Sequence, residues 1–323
     1  MTRASAIAAV SGALGAVLLV AAMRQSLFGV ALGAMLSPLP LAMAVLGLGV
    51  NFLPVAVVSG AITVLFLTGS VAMAGAYLIM DAAPISLLSR LRAIAKPDKN
   101  GFTIAGAAIG RLVCFLVIGA TIALVIGLTA IPNKPDGIEV ALQEQLRDLL
   151  AAVTSATIAT QGSEASVEAR DQMLRVLSVI LPPAIALHWC LRSILSTSLA
   201  QIALSRMKLG REIVPEYRQF TVPRWFAFAA SASIVLAMTT SGDVRFVATS
   251  AAAVLSLPLA LQGLAVVHCA VAQTQQRTFL LVMFYIFALL MSSVAAVLLV
   301  SLGIIEQFFE IRARYYVTRT GGK

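Results

Sequence analysis

MLSPLPLAMAVLGLG, residues Met35–Gly49, is apolar enough for the interior of a lipid bilayer, yet it carries Pro38 and Pro40. Each proline lacks an amide hydrogen and clashes with the preceding turn, so neither sustains an uninterrupted helix. In lipid the carbonyls freed by such a break need partners, and breaks persist where they are buried in protein or line a cavity. Asn51, Pro54, Gly47 and Gly49 extend the irregular region. Two outcomes stay open: simple bending of a membrane helix, or a discontinuous second helix whose unwound part walls a ligand site.

The rest of the chain agrees with a bilayer setting. Of 323 residues 60% are hydrophobic and 11% charged, with mean hydropathy +0.96, against about 45–50% and about 25% in soluble domains. Apolar runs long enough to span recur at about 5–23, 28–48, 52–68, 70–88, 102–131, 176–205, 225–240, 245–270 and 278–303. The pattern predicts an all-α polytopic integral membrane protein of about eight to nine transmembrane helices, folded as one membrane domain over 1–323. Ser5–Met23 reads as a first span rather than a cleaved signal. Cys114, Cys190 and Cys269 lie inside apolar runs without CxxC spacing and read as buried free thiols.

The net charge of +9 collects in short loops, which points to topology rather than nucleic acid. Segments 89–101 and 206–224 hold four and five Lys/Arg and are expected in the cytoplasm. Between them, 132–175 has seven acids against four bases and is expected on the opposite side. Within it Ile138, Leu142, Leu146, Leu149 and Leu150 recur at helical spacing, predicting an amphipathic helix over Gly137–Val153. The following TIATQGSEASVEARDQ is expected to be mobile. The tail EIRARYYVTRTGGK holds four Lys/Arg and is expected in the cytoplasm, with Asp243 and Arg245 at a shallow bend.

No nucleotide, metalloprotease, serine-hydrolase or paired-carboxylate motif is present, so an enzyme is not expected, nor a metal or other cofactor. The informative groups are ionisable residues at membrane depth, which cost about 2.5–3.5 kcal/mol each on insertion scales and usually face a cavity or a partner. Arg111 lies ten residues past Gly101, roughly 15 Å in. Arg192 lies 14 residues before Arg206, and His188 and Ser196 share its helical face. Asp81 is the one deep carboxylate. With Asn51, these residues (Asp81, Arg111, His188, Arg192) form the candidate solute-binding set. Asp81 pairing one arginine as structural glue is the alternative, and placement at the membrane interface a third. Pro84, Pro182–Pro183 and Pro258 add kinks in other spans. Ala8, Gly12 and Ala16 form a small-xxx-small ridge, suited either to internal packing or to docking a partner helix.

Three stretches together resemble the YybS-like predicted membrane proteins of bacteria: LSPLPLAMAVLGLGVNFLPVAVVSGAI, FTVPRWFAFAA, and SLPLALQGLAVVHCAVAQ followed by LGIIEQFFEIRARY. The similarity spans nearly the whole chain, and LQGLAVVH (Leu261–His268) is its most specific part. The resemblance implies a fold similar to the substrate-capture (S) components of energy-coupling-factor transporters. It also implies a multi-pass place in the bacterial inner membrane, and docking through Ala8, Gly12 and Ala16 to a transmembrane coupling subunit and ATPases. This chain departs from S components in its extra spans and its acidic segment. The expectation is a protein that binds a small solute, an anion being the candidate, with a non-transporting envelope scaffold as the rival and a lipid-acting enzyme as a third option.

Overall fold

The computed structural model describes residues 2–23, 33, 35–94, 104–132, 136–155, 164–209, 217–272 and 274–312. Every regular element among them is helical. The chain is an all-α polytopic membrane protein, with seven helical segments among the described residues long and apolar enough to cross a bilayer. Three shorter apolar helices accompany them. Two compact units form, one from residues 1–116 and 188–221, the other from 117–187 and 222–323.

In the first unit, α1 (Arg3–Met23) packs on α3 (Leu53–Thr68), and α2 (Pro38–Leu48) lies against both. Glycine brings α1 and α3 together: a Cβ on Gly12 would stand 1.9 Å from the Ala56 carbonyl oxygen. Ala8 and Ala16, one turn to either side, are fully buried, and Ser59 Oγ donates to the Ala9 carbonyl at 2.7 Å. The small ridge is thus filled by the chain's own helix. On α1 it is Ile7, Val10, Leu14 and Val17 that stay open, in keeping with contact to lipid.

The proline-rich stretch loses backbone hydrogen bonds where its sequence requires. Helical backbone at Met35 and Leu36 passes through Ser37 in α-helical dihedrals (φ −57°, ψ −35°), and the ladder restarts with Pro38 in the first turn of α2, where a missing amide hydrogen costs nothing. Gly49, at φ 112°, ends α2, and one 3₁₀ turn (Val50–Phe52) leads into α3. The fourth span is also irregular. It runs as α4 (Val71–Tyr77), a π-helical turn (Leu78–Ala82) and α5 (Ala83–Ile94). From this unit's side the long helix α8 (Glu164–Arg206) contributes residues 188–206, including Ala200 in the core.

The second unit centres on the antiparallel pair α10 (Gly242–Val271) and α12 (Ser292–Phe309), with α9 (Arg224–Thr239) alongside. A Cβ on Gly263 would meet the Leu299 carbonyl oxygen at 2.0 Å, and one on Gly303 the Leu259 carbonyl oxygen at 2.0 Å. Such reciprocal glycine contacts let two backbones touch, the usual route to tight packing where lipid removes the hydrophobic drive. Above this clamp Gln262, 2% exposed, accepts from the Val222 amide (2.7 Å) and Gln307 Nε2 (2.9 Å) and donates to the Gly303 carbonyl (3.3 Å). Gln307 Nε2 also donates to the Val222 carbonyl at 2.9 Å. The clasp joins FTVPRW, LQGLAVVH and LGIIEQFF, far apart in sequence, at one point. Gln262→Leu leaves the Val222 N–H one acceptor short and is expected to destabilise by about 1–3 kcal/mol. Thermal unfolding in detergent, with Gln262→Glu as a variant that keeps the acceptor, checks this.

Several expectations change here. The amphipathic helix forms as α7 (Ile138–Ser155), its first amide donating to Asp243 Oδ1 at 2.7 Å. Asp243 is therefore not idle at a bend: it serves the N-termini of both α7 and α10, where partial positive charge collects. Of TIATQGSEASVEARDQ, residues 157–163 lie outside the described residues; from Glu164 the stretch is helical as α8, and Asp171 there pairs with Arg147 of α7 at 2.8 Å. The run 278–303 is two helices rather than one span. α11 (Arg277–Leu290) stops at Met291, and α12 begins at the Ser292–Ser293 pair, a sequence type at which helices kink. Cys114, Cys190 and Cys269 are buried free thiols, as expected.

Candidate functional site

Pro84 generates the site. Without an amide hydrogen it supplies no bond to the carbonyl of Met80 four residues back, or of Ile79 five back. The Ala83 amide, in π register, bonds Leu78 instead. Two carbonyls are left looking for donors inside an apolar bundle, where an unpaired group is costly. Both are met by α8: Trp189 Nε1 donates to the Ile79 carbonyl (3.3 Å), and Arg192 Nη2 to the Met80 carbonyl. A π-helical turn of this kind often marks a functional position.

The same turn carries Asp81, completely buried. Arg192, 4% exposed, donates through Nη2 to Asp81 Oδ1, while Ser37 Oγ donates to Oδ2 at 2.7 Å. Ser37 directly precedes Pro38, where the backbone ladder of the second apolar segment is interrupted. Ser196, one turn beyond Arg192, donates to the Met35 carbonyl just before that break (3.1 Å). A Cβ at Gly15 would approach the Ser37 carbonyl oxygen to 2.7 Å, so α1 backs the break directly. Two interrupted helices and one long helix therefore meet around the buried Asp81–Arg192 pair.

Tyr77, one turn before Asp81, is fully buried, and its hydroxyl has no hydrogen-bond partner. The hydroxyl lies over Gly60 of α3, where a Cβ would come within 2.1 Å of it.

Of the five residues singled out from sequence, Asp81 and Arg192 meet. His188 is exposed, one helical turn from Arg192 on α8. Asn51 is exposed at the link between α2 and α3, and Arg111 is exposed on α6 (Ile104–Thr129). Neither joins the pair. Ala8, Gly12 and Ala16 belong to the internal α1–α3 contact. Ser37 and Trp189 were missed. Ser37 had one signal, its place directly before Pro38.

A multi-pass helical bundle with a buried Asp–Arg pair at the junction of broken helices is a polytopic membrane protein with a polar centre. The chain belongs to the family described as "Predicted membrane protein (DUF2232)", whose profile matches residues 13–306. No curated protein and no solved structure matches it.

Proposed function

We propose that this chain is a non-enzymatic, small-solute-binding protein of the bacterial inner membrane, related to S components, that takes an anionic solute at Arg192. The observation that supports it is the Asp81–Arg192 pair at the break before Pro38 and the π turn before Pro84. Charged groups at membrane depth commonly mark solute pathways, and discontinuous helices commonly build the binding sites of transporters. With no nucleotide motif, energy for movement comes from partner ATPase and coupling subunits. Because the Ala8–Gly12–Ala16 ridge is occupied internally, these dock on another face. The cytoplasmic placement of 89–101, 206–224 and the tail, with 132–175 opposite, belongs to the same proposal.

Closure of the ion pair favours a second possibility, a scaffold whose deep charges serve only each other: both Asp81 oxygens have donors from the chain itself. Thermal unfolding of the purified protein in detergent separates the two. Acetate, glutamate and phosphate are compared with chloride at matched ionic strength. A binding anion at a hundredfold excess over its Kd stabilises by about 2.7 kcal/mol, and Arg192→Gln abolishes the shift. A wild-type protein indifferent to every anion identifies the scaffold.

A further inference from the structure

We propose that α11 and α12 form a re-entrant segment, and that its tip and the start of α9 frame a water-filled notch at half the depth of the bilayer. The notch lies wholly in the second compact unit, apart from Asp81 and Arg192, and admits small water-borne polar solutes from one side. α10 sets the scale. Its 30 residues rise about 45 Å, the thickness of a bilayer with its headgroups. Asp243 and Arg245 mark one end, Gln275, Gln276 and Arg277 follow the other, and no charged residue lies between Arg245 and His268. The middle of α10, near Leu257, therefore lies near the middle of the membrane.

Both neighbours of α10 stop at that level. α9 is joined to it by Thr240 and Ser241 and runs back for 16 residues, about 24 Å, so Arg224 comes level with Leu257. The 2.7 Å bond from the Val222 amide to Gln262 fixes the match. α12 comes from the opposite end of α10. The approaches of Gly263 to Leu299 and of Gly303 to Leu259 set its register, which puts Ser292 beside the last turn of α10 and Phe309 near its middle. α11 links the two without leaving that end, its Tyr285 hydroxyl 2.8 Å from His268 Nε2. Past Phe309 the chain turns back. Glu310 is left-handed (φ 44°), and the Arg312 amide and Nε both donate to the Glu306 carboxylate, back on α12.

An exposed ion pair stands at this level. Arg224 Nη2 and Glu310 Oε1 are 3.3 Å apart, with side chains 74% and 68% exposed. The non-helical backbone of Val222 and Pro223 lies beside them. Charges and irregular backbone at membrane depth persist only where protein buries them or water reaches them. Gln262 and Gln307 satisfy the Val222 backbone. The ion pair is exposed, so its surroundings are water. Partial helices that meet at mid-depth are also parts from which transporters commonly build solute pathways. A re-entrant α12 returns the tail to the side of 206–224, as proposed above, and does not depend on the anion site.

The test places the full chain in sealed vesicles and reads modification of single added cysteines by a charged, membrane-impermeant thiol reagent. Cys114, Cys190 and Cys269 are buried, and the chain without an added cysteine gives the background. Arg224→Cys and Glu310→Cys each break an exposed pair of small energetic weight, so the fold is kept. Both are expected to react from the same side as Thr274→Cys, after α10, whereas Ser241→Cys, before it, reacts from the other. Val297→Cys, on α12 and 66% exposed, is expected to react roughly hundredfold more slowly, because lipid excludes a charged reagent. Modification of Thr274→Cys and Glu310→Cys from opposite sides overturns the re-entrant path. A Val297→Cys as reactive as Glu310→Cys puts the middle of α10 at the membrane surface and overturns the notch. So does a lack of reaction from either side in Arg224→Cys or Glu310→Cys with the wild-type unfolding temperature.

Discussion

Asp81→Leu is expected to destabilise the folded chain by about 3–5 kcal/mol, the usual cost of removing one partner from a buried ion pair. The loss exceeds the worth of the contact itself, because Arg192 stays behind as a buried cation without its carboxylate. Arg192→Met is expected to fall in the same range, leaving the Asp81 carboxylate with Ser37 as donor, and it also strips the Met80 carbonyl of its donor. The double variant Asp81→Leu/Arg192→Met is expected to recover most of the loss, since replacing both charges with apolar groups of similar size is often neutral. Unfolding in detergent of all four proteins gives a double-mutant cycle, with a coupling energy of several kcal/mol expected. Equal and additive losses from the two single changes disprove the pairing. The cycle also bears on function: a double variant that is stable yet blind to anions separates the use of the pair from its part in folding.

The second large effect belongs to the α10–α12 clamp. Gly263→Ala and Gly303→Ala each place a methyl group about where a backbone carbonyl now stands, 2.0 Å away in both cases. A side-chain tip yields to such an intrusion, whereas a helix backbone yields only by moving the whole helix. The expected cost is about 1–3 kcal/mol for either change, toward the upper end because the obstacle is main chain. The double change is expected to cost less than the sum, since the first methyl has already parted the helices. Separation also stretches the hydrogen bond from Gln262 to the Gly303 carbonyl. Gly119→Ala and Gly127→Ala on α6, where a Cβ meets nothing within 4 Å, are the controls. Each is expected to be neutral or to stabilise by about 0.5–1 kcal/mol through helix propensity alone. Clamp variants as stable as these controls refute the close approach.

Much of the architecture was open to reading along the chain. Hydropathy dictates membrane residence and an all-helical fold, because the bilayer forces every backbone bond to close within a helix. Pro38 and Pro84 mark places where that closure fails, so both irregular spans were foreseeable, as was the amphipathic α7. The boundary at Met291 was not. The Ser292–Ser293 pair permits a kink there, but nothing between Arg277 and Phe309 forbids a helix by itself.

The site divides along the same line. Asp81 and Arg192 follow from depth, a quantity the sequence carries as a residue count from the nearest loop. Depth alone ranked Arg111 with them and made Ala8, Gly12 and Ala16 as plausible for a partner as for the chain itself. Tertiary packing decided these questions. It turned Arg192 toward the Met80 carbonyl and Asp81, left Arg111 exposed on α6, and spent the small ridge on α3. It also brought Ser37 from 44 residues away to the second Asp81 oxygen and left the Tyr77 hydroxyl without a partner. The reason is geometric: a linear sequence specifies how far along a helix a group lies. Which way that group points, and what waits there, is set only when helices choose their neighbours.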